Sequence, residues 1–124
     1  MGYTLAVFVL LEGLLYSFGL WWFSYLYIWA ILAVAAWLFH KMESRLGWGL
    51  LCGFYGLIFG TLTAIPVLIL SGPAATLAYI ISGIPFDLVH GVSNFLLAFL
   101  LLPTLRRILA RLTRTLNMGT LYFE

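Results

Sequence analysis

The chain has 124 residues, 65% of them hydrophobic and only 8% charged, with a formal net charge of +2. A water-soluble domain of this size buries only about two thirds of the surface of its unfolded chain, so a mean hydropathy of +1.12 excludes a soluble globular fold and reads as an integral membrane protein. The small positive balance is no nucleic-acid signal either, because the arginines flank apolar segments and no basic face carries spaced aromatics, so no nucleic-acid partner is expected.

Residues 3–39 are apolar except for Glu12. As one helix they would reach roughly 55 Å, nearly twice the thickness of a bilayer core, so the chain must fold back. Ser17-Phe18-Gly19 is the expected break, since Tyr16, Trp21 and Trp22 crowd around the glycine as an interfacial aromatic belt would. Helices over 3–18 and 20–39 follow. No basic residue precedes the first apolar run, so no cleavable signal peptide is expected.

His40-Lys41-Met42-Glu43-Ser44-Arg45 forms a polar loop, and the pattern then predicts a helix over 46–70 that Pro66 kinks or divides. Ser71-Gly72-Pro73 reads as a turn. Residues 74–82 are too few to cross a membrane and predict a short helix at the outer interface. Gly83-Ile84-Pro85 is a second expected break, with Pro85 opening a helix over 85–102. Beyond Pro103, Leu105, Ile108, Leu109, Leu112 and Leu116 recur at helical spacing while Arg106, Arg107, Arg111 and Arg114 occupy the other side, which predicts a basic amphipathic tail lying along the membrane surface. Residues 119–124 lack a helical pattern and are expected to be a disordered or tag-derived tail outside the single domain, 1–118.

The expected architecture is therefore all-α: a polytopic bundle of four transmembrane helices, a short outer interfacial helix and the basic tail. Four crossings put Lys41 and Arg45 on the same side as Arg106 to Arg114, and the positive-inside rule makes that side the cytoplasm of a plasma-membrane protein. Both termini then lie inside, and 17–20 and 71–84 outside.

Four small residues, Gly49, Gly53, Gly56 and Gly60, draw a strip without side chains down one helix face. Such a strip admits close backbone approach, either by another helix of the chain or by a partner protein. Asp87, His90 and Asn94 follow at i, i+3 and i+7 with Gly91 beside them, and so share one helical stripe. An ionisable group at membrane depth costs roughly 2.5 to 3.5 kcal/mol on insertion scales, so the stripe is expected to face inward as the polar wall of an outward-facing pocket. The structural alternative has Asp87 capping its helix near the outer surface and His90 and Asn94 bonding neighbouring backbone.

Glu12, among Phe8, Val9, Leu15 and Tyr16, is the other intramembrane candidate, as a titrating carboxylate or as a hydrogen-bond partner of Tyr16. Trp21, Trp22, Tyr25, Tyr27 and Trp29 read as belt and packing, with those near the outer turn able to stack on a flat ligand. Lone Cys52 reads as a packing residue. A metal would need Glu12 or His40 to complete the set, and His40 lies beside Lys41 at the opposite face, so neither metal nor other cofactor is expected. No nucleophile and base pair, phosphate-binding loop or metalloprotease motif occurs, and no enzymatic activity is expected.

Residues 49–107, about half the chain, carry GLLCGFYGLIFG followed by AIP, then GPAATLAYIISGIPFDLVHGVSNFLLAFLLLPTLRR. This stretch resembles the C-terminal half of the substrate-binding S component of energy-coupling factor (ECF) vitamin transporters. The resemblance implies a small membrane protein that captures a vitamin-like molecule from outside and delivers it by toppling against a transmembrane coupling subunit driven by two ATPase subunits. It also implies that Asp87, His90 and Asn94 line or support the pocket and that 71–84 acts as an outer loop or lid. Glu12 and Tyr79 complete the set of candidate substrate-binding residues. S components usually have six membrane helices against the four expected here, so either two are missing or the pocket needs a second copy of the chain. Ala30, Ala33, Ala35 and Ala36 are only a loose substitute for the family's small-residue docking signature. Two other readings stay open: a proton-coupled exporter similar to the small multidrug resistance family, using Glu12, and an assembly subunit with no ligand.

Overall fold

The computed structural model describes residues 2–120, the side chains of 20 and 115–120 excepted. Five helices follow in order: α1 Gly2–Tyr16, α2 Leu20–Leu38, α3 Arg45–Leu57, α4 Phe59–Thr63 and α5 Ile65–Thr120. No strand occurs among the described residues. Two helices are long and apolar enough to cross a membrane, Trp21–Leu38 and a stretch within Ile65–Arg114. Their apolar residues run all round the helix, as a membrane span requires and a half-solvated helix does not. The compact interior is correspondingly small: Val9, Ile28, Tyr55 and Ala64 are its buried apolar residues.

The first break falls where the aromatic belt predicts it. Ser17 takes a left-handed backbone (φ 70°) directly after α1, a conformation that ends a helix, and the Trp22 indole N–H donates to the Val9 carbonyl at 2.8 Å, tying α2 back onto α1. At the other end of α2, Ser44 caps α3 by accepting from the Gly47 N–H at 3.1 Å.

The ascending limb of the second hairpin is interrupted twice, at Ile58 (φ −93°, ψ 0°) and at Ala64 (φ −75°, ψ −12°). Pro66 accounts for the second interruption: it has no N–H to offer the Leu62 carbonyl four residues earlier, and the Tyr27 hydroxyl of α2 donates to that carbonyl at 2.6 Å. The Tyr55 hydroxyl makes the reciprocal tie, donating to the Ile28 carbonyl of α2.

Gly72 (φ 79°, ψ 178°) is the one non-helical residue within α5 and reverses the chain. The descending limb then runs helical from 73 to Thr120, with Pro85 and Pro103 inside it. This corrects two expectations. Residues 74–82 are not a separate interfacial helix, and Gly83-Ile84-Pro85 does not break the chain. An interior proline removes one hydrogen bond and more often bends than ends a helix, and the packing of 87–95 against α3 and α4 holds the limb together on the far side. Likewise Pro103 sets no separate tail apart; the basic segment continues α5. Positions 119 and 120 extend α5 too, and the rest of the expected tail, 121–124, lies outside the described residues.

The glycine strip receives this descending limb. A Cβ on Gly56 would lie 2.7 Å from the His90 carbonyl group and 2.8 Å from the Gly91 nitrogen, one on Gly53 3.2 Å from the Gly91 oxygen, and one on Gly49 3.0 Å from the Phe95 ring. The strip therefore serves packing within the chain, and α5 covers it. At the opposite end from Gly72, the Trp48 indole N–H donates to the Met42 carbonyl at 2.7 Å, and the Arg106 guanidinium lies 3.5 Å from the same oxygen and 5.3 Å from the Trp48 ring centre. Arg45 and Arg106 thus share one end, while Trp21, Ser71 and Tyr79 meet at the other.

Candidate functional site

His90 and Asn94 lie one turn apart on α5, on the side of the helix next to Gly91. Because Gly91 and Gly53 bring the two backbones close, the flanking side chains stand at the rim of that contact and open into a cavity of about 510 Å³. Tyr25 and Trp29 of α2, Tyr55 of α3 and Phe59 of α4 supply its aromatic walls, and Leu32, Cys52, Leu97 and Ala98 complete the lining. The rings interlock: Phe59 is 5.6 Å from the His90 imidazole, Tyr25 is 6.5 Å from Phe59, and Tyr25 meets Trp29 edge-on at 5.8 Å.

Among the described residues neither the His90 ring nor the Asn94 amide has a hydrogen-bond partner within the protein; only the His90 backbone carbonyl is engaged, by Ser93. The alternative in which these two side chains bond neighbouring backbone is therefore not seen among the described residues. An aromatic enclosure with two unspent polar groups on one wall is suited to a flat, largely apolar molecule that hydrogen-bonds along one edge.

Asp87 does not share this cavity. It is 8% exposed, and its Oδ1 accepts the Gly60 N–H at 2.8 Å. The sequence places it in the first turn of its own helix, but α5 is continuous from 73, so that position does not exist. The N-terminus its carboxylate satisfies is that of α4, opened by the break at Ile58. The imidazole and amide share a wall; the carboxylate points to the packing interface instead.

Tyr79 is also apart. Its hydroxyl donates to Thr63 Oγ1 at 3.3 Å, and it borders a separate cavity of about 280 Å³ with Trp21, Ser24 and Pro66 at the Gly72 end. Glu12, half-buried, lies in a third cleft of about 310 Å³ with Tyr16, Trp21 and Tyr25. Tyr25 borders both that cleft and the main cavity. Among the described residues no three His, Cys, Asp or Glu side chains gather closely enough to hold a metal ion.

Tyr55 and Phe59 are the aromatic cavity residues that sequence reasoning missed, and Cys52, read there as a packing residue, also lines the cavity. Their signal was two large aromatics set inside a run of glycines, GFYGLIFG, where the small residues mark the packed face and the rings must therefore point elsewhere. Compared with known proteins, the chain matches no family, no curated protein and no solved structure.

Proposed function

We propose that the chain is a membrane-embedded substrate-binding subunit of an ECF-type importer, taking a vitamin-like small molecule from the outer face. One observation carries this reading: His90 and Asn94 present unspent hydrogen-bonding groups into an aromatic-walled cavity of about 510 Å³, the size and lining of a small-molecule site. The motif that holds them, GIPFDLVHGVSNF, is also the one that carries the family resemblance.

In this reading the chain crosses the bilayer four times, through α1, α2, the 45–71 limb and the limb that begins at 73. The contact of Arg106 with Met42 and Trp48 supports a common cytoplasmic end for the two basic segments. A coupling subunit and ATPases supply the driving force, since nothing in the chain binds a nucleotide phosphate by sequence motif.

Native mass spectrometry of the purified protein tests the proposal, with a retained small molecule as the expected result. Titration of that molecule should then give affinities roughly tenfold weaker for His90→Ala and for Asn94→Ala, the loss of about one ligand hydrogen bond each. Binding indifferent to both substitutions would refute it.

A second reading, a proton-coupled exporter, draws on the half-buried Glu12 carboxylate in its aromatic cleft. It requires Glu12→Gln to abolish proton-driven efflux from proteoliposomes.

A further inference from the structure

Arg45, the first residue of α3, and Arg106 of α5 line opposite sides of a small cavity of about 180 Å³, together with Glu43, Trp48, Leu102 and Pro103. The Arg45 side chain has no hydrogen bond or ion pair among the described residues. Arg106 reaches the Met42 carbonyl only at 3.5 Å, the long limit of a hydrogen bond, so most of its donors stay unspent. Two guanidinium groups against the Glu43 carboxylate leave this lining with an excess of one positive charge. Lys41 and, along α5, Arg107, Arg111 and Arg114 add to the same sign, and Glu43 is the lone carboxylate of this end among the described residues.

A pair of guanidinium groups with free donors suits a phosphate, whose oxygens accept the planar fork of N–H groups that each arginine offers. The surroundings select which phosphate. The Trp48 indole N–H is already spent on the Met42 carbonyl, so its ring contributes apolar surface, as Leu102 and Pro103 do. Leu46, Leu50 and Leu101, close to these residues in sequence, are exposed and extend that surface along the two limbs. A free phosphate gains nothing from it, whereas the acyl chains of a phospholipid do. We infer that this cavity is a headgroup site for an anionic phospholipid, whose phosphate bridges Arg45 and Arg106 and so ties the start of α3 to α5. In the proposed four-crossing topology it faces the inner leaflet, the one with the negative surface potential. The site stands apart from the importer reading, because it shares no lining residue with the His90 and Asn94 cavity.

The test is native mass spectrometry of the full chain in dodecyl maltoside with equimolar dioleoylphosphatidylglycerol and dioleoylphosphatidylcholine. The anionic lipid is expected to be retained about tenfold over the zwitterionic one, and Arg45→Gln should cut that preference about fivefold, the worth of one basic residue at a membrane surface. Arg45→Gln with Arg106→Gln should erase it, and Glu43→Gln should raise it by removing a like charge. Arg107→Gln, outside the cavity, should leave it almost unchanged. Because the Arg45 side chain bonds nothing in the fold, its loss is read without a folding defect: phosphatidylglycerol should raise the unfolding temperature of the unaltered protein and not that of Arg45→Gln. Equal retention of the two lipids by the unaltered protein, or equal losses from Arg45→Gln and Arg107→Gln, overturns the inference. Displacement of the lipid by glycerol 3-phosphate at the same concentration identifies a site for soluble anions and overturns it as well. His90→Ala and Asn94→Ala, on which the importer reading is judged, should leave lipid retention unaltered, so each fails separately.

Discussion

The Asp87 carboxylate of α5 accepts the backbone N–H of Gly60 in α4 at 2.8 Å, so a side chain of the descending limb closes a helix end in the ascending one. Gly60 stands just after the break at Ile58, where the helix has lost the carbonyls that would take its first N–H groups. A glycine is needed there for room as well, since the carboxylate fills the space in which a Cβ would sit.

Replacing Asp87 by Ala should therefore destabilise the fold by about 1 to 3 kcal/mol, because a part-buried donor is left unpaired. Asp87→Asn keeps an oxygen acceptor and should cost less than half as much. Thermal unfolding followed by tryptophan fluorescence in detergent checks both, and equal stability of Asp87→Ala and the unaltered protein would contradict the capping role.

Gly56 and Gly83 form a matched pair for the packing argument. A Cβ on Gly56 meets backbone atoms of His90 and Gly91 at 2.7 to 2.8 Å, and backbone cannot rotate away. Gly56→Ala should destabilise by about 1 to 3 kcal/mol through overpacking. Gly83 lies within helical α5 with nothing within 4 Å of its Cβ position. Gly83→Ala should instead stabilise by about 0.5 to 1 kcal/mol, the helix propensity gained. The same unfolding measurement should show shifts of opposite sign.

The proposed four-crossing topology predicts which residues a membrane-impermeant maleimide reaches in intact cells. In a Cys52→Ser background, Phe18→Cys and Ser71→Cys should be labelled from outside, while Glu43→Cys and Arg107→Cys should react only after permeabilisation. All four positions are exposed on the protein surface. Labelling of positions 43 and 107 from opposite sides would rule out the topology.

Local chemistry made a good part of the fold legible beforehand. The reversal at Ser17-Phe18-Gly19 followed from a length no bilayer accommodates and a cluster of interfacial aromatics, and Ser17 does adopt the left-handed backbone. The Gly72 reversal was legible from its neighbours Ser71 and Pro73, and the spacing of Gly49, Gly53, Gly56 and Gly60 announced a close helix contact. What failed was the inference from Pro85 to a helix boundary. A proline's effect on its own hydrogen bond is local, but whether the helix continues depends on what grips its two sides.

Composition and periodicity alone thus determined that the chain is helical, apolar on nearly every face and reversed at Ser17–Gly19, at the polar loop after α2 and at Gly72, since those properties depend only on neighbours in sequence. They also put His90 and Asn94 one turn apart on one stripe. Only the tertiary structure separated them from Asp87, because the break at Ile58 creates an unsatisfied N–H on another helix and the carboxylate turns to meet it. Partner groups brought together from distant positions decide where a polar side chain points, and helical periodicity carries no record of them.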